Sequence, residues 1–226
     1  MKFARSHHCH YIRKMMQHVH VHCQRIKIDN HNFSIISSNC VGAKIYQEFG
    51  LPYKTPFVGV FLFAPCYIKL LKNFKKILNS QMRFEKKSQY DEANNFMENN
   101  KYYPIGYIGE GIEVHFLHSE NEDECLRKWD RRLQRINWDN LYFSFTDRDL
   151  CTEEILWEFD TLPYKNKVCF TAKKYPELKS CVYLPEYAGF PYVGDIYTNF
   201  YICMRHFDVI GWLNGRLSRK TRGIGN

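Results

Sequence analysis

Short apolar runs separated by polar or small residues occupy most of the chain, and their spacing predicts its elements. Residues 33–37 (FSIIS), 58–63, 105–108, 112–117, 141–145, 167–171 and 180–184 are rich in β-branched and aromatic residues and bounded by turn formers, so they read as strands. Helical spacing separates several of them. Residues 43–49 end at Gly50 and Pro52, and Pro65 opens a helix running to Leu78. The clearest helix runs over 119–136. Ser119 with Glu122 has the pattern of a capping box, acids crowd the first turn, arginines fill the last, and Leu126, Trp129, Leu133 and Ile136 form one apolar stripe. Thr152 caps another helix reaching Phe159, and residues 206–213 form a terminal one. Strand–helix alternation of this kind predicts a three-layer α/β/α fold around a mixed, largely parallel sheet.

Composition adds boundaries to that picture. Of the 226 residues, 45% are hydrophobic and 16% aromatic, enough to build one sizeable core. The net charge of +8 is concentrated at the ends. Residues 1–28 carry Lys2, Arg5, Arg13, Lys14, Arg25 and Lys27 and no acid, and Arg216, Arg219, Lys220 and Arg222 close the chain. The expected organisation is a basic N-terminal extension over 1–31, an α/β domain over 32–214 and a basic tail over 215–226. An extension of this kind can touch anionic membrane, and its removal through residue 28 is expected to spare the stability of the core. The histidines and cysteines at 7–10 and 18–23 lack a standard zinc spacing. The nine cysteines form no CxxC pair, which fits a reducing compartment. With no apolar run of spanning length and no signal-like apolar segment, the expected location is the cytoplasm, with peripheral contact at the inner face of the membrane. No aromatic platform accompanies the basic residues, so no specific nucleic-acid partner is expected.

Ligands of open α/β sheets bind beyond the carboxyl ends of the strands. The residues following the predicted strands are therefore the candidates: Ser38, Asn39 and Cys40; His118; Asp147, Arg148 and Asp149; Thr171 and Lys173. Cys40 precedes a helix, whose dipole favours a thiolate nucleophile and a bound anion, and Asn39 can donate to an oxyanion. His118 is a candidate general base, whereas His115 reads as a hydrogen-bonded strand residue. The Asp147–Arg148–Asp149 sequence is similar to the Asp-x-Asp pattern of many glycosyltransferases, in which carboxylates hold manganese or magnesium on a nucleotide diphosphate. The candidate set is thus Cys40, His118 and Asp147 as catalytic residues, Ser38, Asn39, Arg148, Thr171 and Lys173 as substrate-binding residues, and Asp147 with Asp149 as metal ligands.

Eight ordered segments carry a family resemblance. They are 33–42 (FSIISSNCVG), 45–50 (IYQEFG), 57–68 (FVGVFLFAPCYI), 103–106 (YPIG), 113–118 (EVHFLH), 129–149 (WDRRLQRINWDNLYFSFTDRD), 166–173 (NKVCFTAK) and 207–213 (FDVIGWL). Together they resemble the DUF1919 family over residues 32–214. A Trp and paired glycines are frequent after the Cys in that family; here Val41, Gly42 and Ala43 occupy those places. The resemblance implies a role in exopolysaccharide biosynthesis and leaves the reaction open. The expected function is a transferase of glycosyl or sugar-phosphate groups, with a sugar nucleotide or polysaccharide precursor as partner. Two alternatives accompany it. One is a coenzyme A-dependent acyltransferase using Cys40, since the Asn39–Cys40 turn is similar to that of some capsule acyltransferases. The other is a non-catalytic protein that binds a carbohydrate or sugar nucleotide.

Overall fold

The computed structural model describes residues 23–29 and 31–216. Four strands form a parallel sheet: β1 (Ser34–Ser37), β5 (Leu141–Thr146), β6 (Lys167–Thr171) and β7 (Cys181–Tyr183), side by side in that order. Successive side chains on a strand face opposite sides, and each side is covered. Ile36, Phe143, Phe145 and Cys169 enter one core with α2 (Ala64–Lys72), α3 (Phe74–Leu78), α5 (Glu122–Leu133) and α6 (Glu153–Thr161). Ile35, Tyr142, Val168 and Phe170 enter the other, with α1 (Val41–Glu48), α7 (Phe200–His206) and α8 (Val209–Leu213). The fold is therefore α/β with three layers, as the alternation of strands and helices implies.

The sheet is not mixed. The antiparallel strands β2 (Arg83–Glu85), β3 (Ile105–Ile108) and β4 (Ile112–His115) make a separate three-stranded sheet. Gly109 and Gly111, at φ 55° and 75°, bracket the short turn between β3 and β4, and a turn that short returns the chain antiparallel. Residues 58–63, expected as a strand, make one bridge, Phe61 to His115. Gly59 at φ +73° breaks the extended run, next to the His118 side chain. The expected helix over 65–78 divides at Asn73 (φ −136°) into α2 and α3. The cap of α5 is Asn121, not Ser119: its side chain accepts the Glu124 amide at 2.9 Å, while Glu124 accepts the Glu120 amide at 2.7 Å. Helix α4 (Asp91–Asn99) lies in the polar stretch before β3.

Residues assigned to the N-terminal extension are part of the packed domain. Ile28 is buried among the α7 and α8 residues. Asn214, just past α8, accepts the Asp29 amide and donates to the Lys27 carbonyl, both at 2.9 Å. Asp29 also pairs with Arg216 at 3.1 Å. Deletion through residue 28 is therefore expected to lower the thermal midpoint, because it uncovers an apolar site and breaks the Asn214 clasp. Ile28→Ala alone should cost about 2 kcal/mol in a urea melt; an unchanged midpoint for both would return these residues to an appendage. The other expectations for 1–22, and those for 217–226, fall outside the described residues.

Candidate functional site

The parallel order puts the carboxyl ends of β1 and β5 next to each other, and Ser38–Cys40 and Asp147–Asp149 emerge there together. Asn39 locks the two ends: its amide donates to Thr146 Oγ at 3.0 Å, and its carbonyl accepts the Val41 amide at 3.2 Å. Gly42 lets α1 start hard against β1, since a Cβ there would lie 3.0 Å from Ser37 Cβ and 3.1 Å from Ile35 Cγ2. The single glycine of this turn thus serves helix–strand packing.

A cavity of about 430 Å³ opens at this edge. Its floor is Asn39, Cys40 and Thr146, with Arg148 and Asp149 beside them. Phe61, Phe63, Phe96, Tyr103 and Leu117 provide apolar walls, and Gly194, Asp195, Ile196 and Tyr197 close the remaining side. A second cavity of about 560 Å³ adjoins it, sharing Cys40, Asp195 and Tyr197. His118, Lys128 and Arg132 line this one, so it is basic where the first is acidic.

Asp147 does not line either cavity, contrary to the role expected for it. One of its carboxylate oxygens accepts the Ala172 amide at 2.7 Å and the other the Val193 amide at 2.8 Å. Both donors are buried, so the side chain clips β6 and the 193–197 segment onto the end of β5. Asp147 therefore does not fit the metal-ligand role proposed from the Asp-x-Asp pattern. Among the described residues, no group of three or more His, Cys, Asp or Glu is placed to hold a metal ion.

Of the two aspartates it is Asp149 that lines the first cavity, together with Glu92 and Asp195. Asp149 and Leu150 stand at φ 56° and 66°, a left-handed pair that costs non-glycine residues about 1–3 kcal/mol each. The Asp149 carbonyl accepts the Ala64 amide at the start of α2, which holds the turn in place. Burial pushes the Asp149 carboxyl above its ordinary value, against the lowering influence of Arg148 and His115.

Cys40 is half-buried at the junction of the cavities. Burial, and then the negative charge of Asp195, pushes its thiol pKa up, the reverse of the shift expected from the helix start. Among the described residues, no hydrogen bond joins it to His118, which is exposed beyond β4. Alkylation of Cys40 by iodoacetamide is expected to be slow at pH 7 and to accelerate only above the ordinary thiol pKa of about 8.5. Mass spectrometry of the Cys40 peptide checks this, and rapid labelling near pH 7 would restore the nucleophile reading.

The remaining candidates divide. Arg148 lines the first cavity, with its guanidinium over the Tyr192 ring. Ser38 is buried and lines neither cavity. Thr171 spends its hydroxyl on the Lys173 carbonyl at 2.8 Å, and neither residue reaches the cleft. The sequence reading missed Phe61, Phe63, Phe96, Tyr103, Asp195 and Tyr197, and on the basic side Lys128 and Arg132.

Behind the Tyr103 wall lies a buried polar cluster. Glu113 and His115 are two apart on β4 and share a face, with His115 Nε2 3.0 Å from Glu113 Oε2 and both side chains fully buried. Glu113 also accepts from Ser88 Oγ and the Gln89 amide, both at 2.5 Å, and from the Tyr107 hydroxyl. The other His115 nitrogen, Nδ1, lies 3.2 Å from the Tyr103 hydroxyl. Burial alone would raise the Glu113 pKa, but the bonds from His115, Gln89, Ser88 and Tyr107 prevail and hold it at about 2. His115 is thus a bonded strand histidine, as its place in an apolar run suggests.

These features define an α/β protein with a two-chambered cleft at the carboxyl edge of its parallel sheet. The chain belongs to the DUF1919 family, a domain of unknown function that it matches over residues 11–214. The match begins inside the basic N-terminal segment, ahead of residue 32, where the recognisable motifs start. A relative from Haemophilus influenzae, an uncharacterized protein, is 35% identical over 192 residues, which cover 83% of this chain and 87% of the relative.

Proposed function

We propose that this protein is a transferase acting on a sugar precursor of a cell-surface polysaccharide, moving a glycosyl or sugar-phosphate group. The observation that carries this reading is the first cavity, in which aromatic walls meet a cluster of polar groups. Flat aromatic faces pack against the C–H face of a sugar ring, while side chains such as Asn39, Arg148 and Asp149 hydrogen-bond its hydroxyls. Asp149, raised by burial, is suited to exchange a proton with a reacting hydroxyl and takes the acid–base role first sought at His118 and Asp147. The polysaccharide pathway itself rests on the family resemblance. The proposed setting is the cytoplasm, supported by eight free cysteines among the described residues. No helix of the described residues is long and apolar enough to cross a membrane.

The test is a thermal-shift and turnover screen with UDP-hexoses, free hexoses and acyl-coenzyme A, with and without manganese. A sugar ligand at 100 times its dissociation constant should stabilise the fold by about 2.7 kcal/mol. Asp149→Asn should retain that stabilisation and lose turnover by about 100-fold or more. Stabilisation by no sugar compound, or turnover of an acyl-coenzyme A through a Cys40 adduct, would overturn the proposal. Sugar binding without turnover under every condition would make the protein a carrier.

A further inference from the structure

The second cavity contains a cation that lacks an acidic partner. Arg132 lies on α5 one turn after Lys128 and beside the buried Trp129, so the packing of the helix directs it inward. Its guanidinium donates one bond, from Nη1 to the Val58 carbonyl at 2.9 Å, and lies over the Tyr53 ring at 5.9 Å. Among the described residues no carboxylate comes within ion-pair distance of it. A guanidinium has five N–H donors in a planar fork, and here a neutral carbonyl and a ring face meet only part of that capacity. The neighbouring Lys128 is engaged with Glu124 at 2.7 Å. His118 lines the same cavity, its ring at contact distance, 3.5 Å, from where a Gly59 Cβ would be.

We infer that this basic cavity is a phosphate subsite, in which Arg132 grips the phosphate or diphosphate of the substrate and His118 contacts it from the opposite wall. A half-buried, unpaired arginine is expensive unless an anion completes its bonding, and phosphate oxygens match its fork in pairs. Burial and the adjacent Arg131 both disfavour the Arg132 charge, so an anion at this position relieves what the protein alone leaves uncompensated. The cavity opens onto the first through Cys40, Asp195 and Tyr197, so one substrate can place its sugar among the aromatic walls and its phosphate at Arg132. The inference names the substrate class, a phosphorylated sugar, and rests to that extent on the proposed transferase reading.

Isothermal titration of the full chain with pyrophosphate and with UDP, neither of which carries a hexose, tests the subsite on its own. Both should bind. Arg132→Gln should weaken pyrophosphate about tenfold or more, and Arg132→Lys, which keeps the charge and stem but loses the fork, should weaken it less. His118→Gln should give a smaller loss at unchanged thermal midpoint. Arg83→Gln, which removes an equal charge from β2 outside both cavities, should leave binding as it was. Failure of pyrophosphate and UDP to bind, equal losses at Arg83 and Arg132, or unchanged affinity in folded Arg132→Lys and His118→Gln would each overturn the inference. A parallel titration with free hexose reads the first cavity. Phosphate binding without hexose binding keeps the subsite and removes the sugar reading; hexose binding without phosphate binding does the reverse.

Discussion

Replacing Asp147 with Ala should destabilise the protein by about 2–6 kcal/mol and loosen the wall of the first cavity at the same time. The magnitude follows from two buried amides, Ala172 and Val193, that lose their acceptor together, each costing about 1–3 kcal/mol when left unpaired. Asp147→Asn should lie close to the Ala variant, because its amide nitrogen would face an N–H donor in place of an acceptor. The loss should be regional as well as global. Val193 is fully buried, and the next four residues, Gly194–Tyr197, close one side of the cavity. Hydrogen exchange in this segment should therefore rise by more than the fall in global stability explains. A catalytic metal ligand predicts another result: Asp147→Asn would unfold at the wild-type urea midpoint and lose only metal-dependent binding. That outcome would defeat the clip.

The contrast between Asp147 and Asp149 shows how far the sequence could be read. The apolar run at 141–145 followed by Thr-Asp-Arg-Asp located the end of a buried parallel strand, and the structure has it there. Which of the two aspartates faces a ligand depends on partners far along the chain. Val193 is 46 positions away from Asp147, and no local pattern announces a hydrogen bond across such a span. The aromatic walls were hidden for a different reason. Phe61, Phe63 and Tyr103 sit in apolar runs like those of the core, and their rings meet around His115 of β4 only once the chain is folded. Gly109 and Gly111 were a legible signal for segregating the antiparallel strands, since a short Gly-bracketed link between two apolar runs is a hairpin pattern. Cys40 failed through competition between effects. Its position before a helix favours a thiolate, but burial and the Asp195 charge act the other way, and neither is visible before the chain is folded. Arg132 looked like one more cation in the arginine-rich end of a helix. Its environment distinguishes it: Tyr53 and the Val58 carbonyl, both from a loop some seventy residues earlier, receive it.

Glu113→Gln should cost on the order of 3 kcal/mol at pH 7, and the cost should fade in acid. Glu113 is held at about 2 in the folded protein, against an ordinary value near 4.5. A depressed carboxylate contributes stability that is fully present above its unfolded pKa and is lost as pH falls through the folded one. The window is therefore from about pH 5 down to about pH 2, and the shift of roughly 2.5 pH units at about 1.4 kcal/mol each sets the magnitude. Gln cannot carry the charge, and its NH₂ would oppose one of the donors on Ser88, Gln89 or Tyr107. Urea melts of wild type and variant at pH 7, 5 and 3 should show the gap narrowing toward acid. A gap that stays constant across that range would mean that Glu113 is not the ionised centre of the cluster. The variant should also weaken any ligand of the first cavity. Glu113 fixes the 88–89 turn, Ser88 is bonded through its backbone to Asn94 of α4, and α4 supplies Phe96 to the cavity. His115 meanwhile holds the Tyr103 hydroxyl at the opposite end of the same pair. Tyr103→Phe removes only that last bond and keeps the ring in the wall, so it should cost about 1 kcal/mol in stability. It separates packing of the wall from the charge that supports it.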